Sequence, residues 1–147
     1  LFLRLGGEPS TEAINGVVIK QIPYQSDTNT VAYCYQAADV FMHAAHADTF
    51  PTTVLEALAC GIPVVTTNVG GASEQVEDGE TGYLVPPGDH VAMASRVLQL
   101  LSEPTRAQEM GRRASEMAQK RFNMEKQVDE YLEWYREVID SFQQSDD

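Results

Sequence analysis

Apolar and polar positions follow two alternating patterns along the first two thirds of the chain. Short runs rich in β-branched residues predict strands, and these are 1–5, 17–22, 40–44, 64–67 and 83–85. Between and after them, apolar residues recur at helical spacing, which predicts helices at 8–15, 28–38, 52–60, 73–76, 91–101, 104–120 and 124–142. Strands that alternate with helical crossovers indicate an α/β fold, with a buried Rossmann-like parallel sheet and flanking helices.

Helix boundaries are marked by specific residues. Asp27 and Asp89 are predicted N-caps, and Gly61 with Pro63 ends the helix that precedes the fourth strand. The last helix has the clearest period, because its apolar residues recur every three or four positions. They are Met124, Val128, Tyr131, Leu132, Tyr135, Val138, Ile139 and Phe142. This stripe is expected to be buried, and the polar residues from 143 onward are expected to form a frayed tail.

Charge narrows the range of partners. The chain has 147 residues, 10 Lys and Arg against 22 Asp and Glu, and a formal net charge of −12. Such a charge repels a nucleic-acid backbone and an anionic membrane surface, so no nucleic-acid polymer is expected as a partner.

The sequence shows no export signal or apolar run of membrane-spanning length, and Cys34 and Cys60 lack the spacing of a metal site. A cytoplasmic protein with packed, reduced thiols is expected.

The most informative stretch is 37–85. It contains Ala-Ala-Asp-Val-Phe at 37–41 and the segment from Asp48 to Val65, which includes Glu56. Val-Gly-Gly at 69–71, Asp-Gly-Glu-Thr-Gly at 78–82 and Leu-Val-Pro-Pro-Gly-Asp at 84–89 follow. In this order and spacing, the five motifs resemble the C-terminal, donor-binding domain of the family-4 (group 1) retaining glycosyltransferases of the GT-B fold.

Residues 48–56, at the centre of this stretch, can also be interpreted from their physical chemistry, without the resemblance. Asp48 lies in the loop after a predicted strand, and Glu56 lies one to two turns inside the following helix. The start of that helix, at Thr52 and Thr53, offers unpaired N–H groups and the positive end of the helix dipole to a phosphate. A carboxylate farther along the helix can accept hydrogen bonds from two ribose hydroxyls.

The resemblance implies roles for particular residues. The family's two acids, with seven residues between them, correspond to Asp48 and Glu56, which are the candidate catalytic residues. The second acid of the motif binds the ribose, and the first, normally glutamate, contacts the transferred sugar. Phe50 matches the family pattern, whereas Pro51 replaces a glycine and removes one N–H.

The alternatives to these functional roles are that Asp48 only caps the helix and that Glu56 is an exposed carboxylate without a role. Function is favoured for Glu56 because its sequence neighbours are apolar and a buried acid without a partner is costly.

Two further residues are candidates for substrate binding. His46 is placed to hydrogen-bond the donor sugar, and Tyr24 follows the second strand, where relatives hold the nucleotide base. His43 and His46 do not form a recognised ligand pair, so no metal site is expected. The substrate-binding set is Tyr24, His46, Phe50, Pro51, Thr52, Thr53 and Glu56.

The resemblance also implies a mechanism. No Asp-x-Asp triplet occurs, so a metal-free, cofactor-free reaction is expected, with a nucleotide-diphosphate sugar as co-substrate and retention of anomeric configuration. The family's Arg and Lys that stabilise the leaving diphosphate would lie upstream of Leu1. The chain starts without Met, inside a predicted strand, so the first strand and helix of the domain are expected to be missing.

The resemblance also implies two domains and a break in the sheet. Residues 1–122 would form the nucleotide-sugar-binding domain, and 123–147 the C-terminal helix and tail. The acceptor would bind a missing N-terminal Rossmann-like domain, which could also bring the protein to a membrane surface. Because the first strand of a doubly wound sheet is central, a gap or a non-native pairing is expected beside 40–44. The isolated chain is then expected to be marginally stable and inactive.

Two other functions remain open at the level of sequence. The chain could be a non-catalytic nucleotide-binding or interaction module, or an isomerase of the same fold such as a nucleotide-sugar 2-epimerase. The segment from Asp48 to Glu56 fits transferases better than epimerases. A dehydrogenase is disfavoured because no Gly-x-Gly-x-x-Gly follows the first strand.

Overall fold

A computed structural model describes residues 1–144. Strands β1 to β6 comprise Phe2–Leu5, Ser10–Ile14, Val17–Ile22, Phe41–His43, Val64–Thr67 and Gly82–Val85. Helices α1 to α6 comprise Thr28–Gln36, Thr52–Ala59, Ala72–Gln75, His90–Ser102, Pro104–Arg121 and Met124–Gln144. In the described part, the strands form two three-stranded sheets, ordered β1-β3-β2 and β4-β5-β6. The predicted α/β class with a parallel sheet and flanking helices is confirmed, although the strands were expected in a single sheet.

The chain divides into two compact units, 1–38 and 39–147. In the first unit, β1 and β3 are parallel and β2 is antiparallel to β3. None of its residues is fully buried, and Leu3, Leu5 and Val18 are each about 40% exposed. The Asp27 carboxylate caps α1 by accepting hydrogen bonds from the N–H and hydroxyl of Thr30, at 2.8 and 2.6 Å. The predicted N-cap is therefore confirmed.

The helix predicted at 8–15 is wrong, because residues 10–14 form strand β2. Asn15 and Gly16 both have positive φ angles, of 51° and 82°. Two such residues in succession make the tight turn whose twist suits a β-hairpin, and Asn-Gly is its preferred sequence. The hairpin pairs Ile14 with Val17 and runs back to pair Ser10 with Gln21. The turn overrides the weak helical pattern of the preceding residues.

The second unit contains the buried core. All four residues of β5 are buried, and β5 lies between β4 and β6 with both pairings parallel. Val54, Ala57 and Leu58 of α2 are fully buried, while Tyr83 and Met110 belong to a cluster that joins β5 and β6 to α4 and α5. Within the described strands, β4 pairs with β5 alone and is an edge strand of this sheet, and the expected gap or non-native pairing beside 40–44 stays a prediction.

Helix α6 forms as predicted, but its apolar stripe is exposed. Every residue from 124 to 142 is exposed, including Val128, Tyr131 and Val138 at roughly half of their full area. The expectation of burial is therefore wrong for the described residues. The helical period shows that one face is apolar, but it does not supply a surface to cover that face. The tail predicted from 143 begins within α6, and residues 145–147 lie outside the described residues.

The predicted domain boundary between 122 and 123 falls between α5 and α6, and it stays a prediction.

The thiols of Cys34 and Cys60 are both free and half-buried. Over residues 1–144, none of the helices combines the length and the apolarity that crossing a bilayer requires.

Candidate functional site

Two loops form the candidate site, and each follows the carboxyl end of a strand. Residues 44–51 follow β4 and residues 68–71 follow β5, its parallel neighbour. Ligands of open α/β sheets bind in crevices at this edge. A pocket of about 510 Å³ lies there, and its lining is His46, Ala47, Asp48, Thr49, Val69 and Gly70. This volume is within the usual range for small-molecule sites.

A second cavity, of about 300 Å³, is a weaker candidate. It is bounded by α5 and by the turn before β6, and Glu77, Glu80 and Arg113 are among its lining residues. Arg113 is paired with Glu80 at 3.5 Å and also donates a hydrogen bond to the Glu80 carbonyl. Arg113 and Glu80 are therefore structural partners of each other, whereas the pocket after β4 and β5 has the position expected of a ligand site.

Three contacts fix the shape of the candidate site. The Thr67 hydroxyl donates a 2.6 Å hydrogen bond to the Ala45 carbonyl, which ties the first loop to the end of β5. The Gly71 N–H donates a 2.7 Å hydrogen bond to the Thr49 carbonyl, which ties the two loops together. A methyl group at Gly70 would overlap the Asp48 carbonyl oxygen. The second loop thus packs directly on the backbone of the first.

Asp48 lines the pocket and lies beside a histidine. The Nε2 atom of His43 is 3.5 Å from Oδ2 of Asp48, and both side chains are at least two-thirds covered. At this distance the contact is electrostatic and is not a strong hydrogen bond. The N-cap of α2 is Pro51, and no side chain of the described residues caps that helix. The alternative in which Asp48 serves only as a helix cap is therefore wrong.

The start of α2 has the features of an anion site. Pro51 is buried and has the extended geometry of an N-cap residue, while Thr52 and Thr53 are exposed in the first turn. No acidic side chain lies in that turn. The N–H groups of a first turn lack partners within the helix, and the helix dipole adds positive potential there. Because the loop that contains Asp48 leads into this turn, a phosphate beside the pocket has suitable donors.

Glu56 is exposed on α2, so the argument that its neighbours would bury it is wrong. Adjacent apolar residues Val54, Ala57 and Leu58 point into the core, and the helical period turns Glu56 outward. Burial raises the pKa of the Cys60 thiol, and the nearby Glu56 carboxylate raises it further. The Glu56 carboxylate therefore lies close to Cys60, one turn along the helix. Its role in ribose binding stays a prediction.

Phe50 and Tyr24 have different surroundings. Phe50 is 41% exposed, and its ring makes an edge contact with Phe122, with centroids 6.0 Å apart and planes at 69°. Tyr24 belongs to the first compact unit and is 78% exposed. Its proposed contact with a base stays a prediction.

Several pocket residues were not identified from sequence. Thr49, Val69 and Gly70 line the pocket, and His43 contacts Asp48. Val69 and Gly70 belong to a motif that carried the family resemblance, so that motif was the available signal. The sequence does not predict the contact between His43 and Asp48, because the distance between the two side chains depends on how the loop after β4 turns back.

Comparison with known proteins agrees with this geometry. The family described as "Glycosyl transferases group 1" matches residues 10–117. N-acetyl-alpha-D-glucosaminyl L-malate synthase of Bacillus anthracis is 35% identical over 111 residues, which is 76% of this chain and 29% of that protein. The chain therefore spans less than a third of this relative's length.

Solved structures give the same picture. Sucrose-phosphate synthase from Thermosynechococcus elongatus matches with a TM-score of 0.79 and 32% identity, over 84% of this chain and 31% of that one. Anabaena Alr3699/HepE, crystallised in complex with UDP-glucose, matches with a TM-score of 0.69 and 27% identity, over 78% of this chain and 32% of that one.

Proposed function

Because the chain belongs to the glycosyl transferases group 1 family, we propose that it forms the nucleotide-sugar-binding domain of a retaining glycosyltransferase. The natural full-length protein would transfer a sugar from a nucleoside diphosphate to an acceptor. The observation that carries this proposal is the pocket lined by His46, Asp48 and Gly70, at the carboxyl edge of β4 and β5 and beside the start of α2.

Each part of a nucleotide sugar has a matching group. The diphosphate is assigned to the first turn of α2, where N–H groups and the helix dipole favour an anion. The sugar is assigned to the pocket, with the Asp48 carboxylate as hydrogen-bond acceptor and His46 as a second polar partner. The ribose is assigned to Glu56, whose carboxylate lies on the exposed face of α2 and can accept hydrogen bonds from hydroxyl donors. The contact of Tyr24 with the base stays a prediction from the sequence.

The proposed reaction uses no metal. The departing diphosphate gains negative charge, which the α2 N-terminus and cationic groups of the full-length protein stabilise. The acceptor attacks on the face from which the diphosphate leaves, so the anomeric configuration is retained. Acceptor binding is assigned to an N-terminal domain of the GT-B type, and the protein is placed in the cytoplasm.

The test is donor binding and transfer by the natural full-length protein. UDP, GDP, ADP and their glucose conjugates are titrated calorimetrically, and release of the nucleotide is followed with candidate acceptors. Glu56→Gln is expected to weaken donor binding by about tenfold to a hundredfold, because hydrogen bonds to a charged group contribute about 1.5–3 kcal/mol. Glu133→Gln, at an exposed position on α6, is the matched control. Failure of every nucleotide to bind the unmodified protein would refute the proposal.

A further inference from the structure

The ring of Phe50 is held between two parts of the second unit. On one side lies the backbone of Gly71, where an added Cβ would overlap the ring carbon Cδ2 of Phe50. On another side lies the edge of Phe122, with ring centroids 6.0 Å apart. Phe50 is two residues from Asp48 and directly precedes Pro51, the N-cap of α2. The backbone of Phe50 therefore connects the pocket loop to the start of α2.

Phe122 is itself held at the junction of α5 and α6. It is the C-cap residue of α5, and its N–H donates a 2.9 Å hydrogen bond to the Ala118 carbonyl. The Arg121 guanidinium lies over its ring, 5.3 Å from the centroid. Arg121 also pairs with Glu77 at 3.4 Å, which connects the junction to the segment between α3 and β6. The ring that meets Phe50 is thus fixed by contacts on its own helix and across the unit.

We propose that Phe122 is a positioning residue for donor binding. By its edge contact with Phe50, it holds the backbone of 48–51 against Gly71, so that Asp48 and the first turn of α2 keep the geometry that a nucleotide sugar requires. This inference rests on the proposed function, and it adds a residue outside the pocket, at the start of the segment that leads into α6.

The arrangement has a direct physical consequence. A Cβ added to Gly71 would meet both the Phe50 ring and the Thr49 carbonyl oxygen, so the ring lies close to the hydrogen bond from the Gly71 N–H to that carbonyl. The opening of this hydrogen bond therefore reports on the positioning of the loop. An aromatic edge contact contributes enough to change a local opening equilibrium by about twofold to tenfold. Removal of the Phe122 ring should therefore loosen this hydrogen bond without unfolding the unit.

The first measurement needs no donor. Hydrogen exchange at the Gly71 amide is compared by NMR in the natural full-length protein and in its Phe122→Ala and Phe122→Tyr variants. Phe122→Ala is expected to accelerate exchange at Gly71 by about twofold to tenfold. The Asn68 amide, which donates to the Val85 carbonyl at the same sheet edge, should stay unchanged. Phe122→Tyr keeps the ring and should restore the unmodified rate. Equal acceleration at both amides, or none at Gly71, would overturn the inference.

The second measurement is steady-state kinetics, with Met124→Ala as the matched control. Met124 lies two residues from Phe122 and is 73% exposed. Phe122→Ala is expected to raise the donor KM by about twofold to tenfold with the acceptor KM unchanged, and Met124→Ala to change neither. An unchanged donor KM in an active enzyme would refute the positioning role. An unmodified protein that binds no nucleotide would refute the proposed function instead, and the exchange data alone would then decide whether Phe122 holds the loop.

Discussion

Replacement of Gly70 by alanine tests the close packing of the two loops. Gly70 has a φ of +46°, and an added methyl group would overlap the Asp48 carbonyl oxygen. The left-handed backbone costs an alanine about 1–2 kcal/mol. Overpacking against fixed atoms costs about 1–3 kcal/mol more. Gly79 is the matched control, because its φ is +80° but a methyl group there would meet no atom within 4 Å.

The expected outcome is a difference between the two variants. Gly79→Ala should lower the free energy of unfolding by about 1–2 kcal/mol, and Gly70→Ala by about 2–5 kcal/mol. Equilibrium urea unfolding, followed by far-UV circular dichroism with both variants and the unmodified protein side by side, measures this difference. Gly70→Ala should also raise the donor KM, because relief of the overlap displaces Asp48. Equal destabilisation by the two substitutions, with an unchanged donor KM, would refute the packing argument.

Three further outcomes are expected. Glu56→Gln should speed alkylation of Cys60 by iodoacetamide at neutral pH, since the carboxylate contributes to the raised pKa of that thiol, and an unchanged rate would place Glu56 elsewhere. Glycosyl transfer by the full-length protein should persist in excess chelator, and loss of activity that magnesium or manganese restores would contradict the metal-free proposal. The hydrogen bonds from the Thr30 hydroxyl and N–H lower the pKa of Asp27 below its ordinary value of 3.8. Its capping contribution should therefore be complete above about pH 4 and disappear as the pH falls through the lowered pKa. Asp27→Asn should remove this dependence, as measured by NMR of the α1 amides, and persistence of the dependence would exclude Asp27 as its source.

Local signals explain most of what the sequence predicts correctly about the fold. The caps at Asp27 and Asp89, and the break at Gly61, each act within one helical turn, so the helix boundaries could be identified. The helix prediction at 8–15 is wrong because this segment is too short for its apolar pattern to distinguish a strand from a helix. The Asn15-Gly16 turn that follows it decides in favour of a hairpin strand. The predicted burial of α6 is wrong for a different reason. An amphipathic pattern shows which face of a helix is apolar, but it does not identify a surface that covers this face.

In the candidate site, too, contacts within one loop could be predicted from the sequence and contacts between distant residues could not. His46 and Asp48 lie in one loop, so their shared pocket follows from their proximity in sequence. The contacts of this loop with Gly70 and Phe122 join residues far apart in the chain. No local pattern encodes them. Glu56 was expected to be buried because its neighbours are apolar, yet those neighbours occupy the core face of α2 and turn the carboxylate outward.

The exposed face of α6 determines what fluorescence can report about this protein. Trp134 is the only tryptophan in the sequence; it is 53% exposed on α6 and lies beside Tyr135, with ring centroids 5.2 Å apart. Excitation of the neighbouring tyrosines also feeds emission from this indole. Intrinsic tryptophan emission therefore follows the solvation of α6 and not the packing of the β5 core. A shift in its wavelength is a direct signal for any surface that comes to cover α6, whereas unfolding of the core leaves the emission unchanged as long as the exposure of α6 is unchanged.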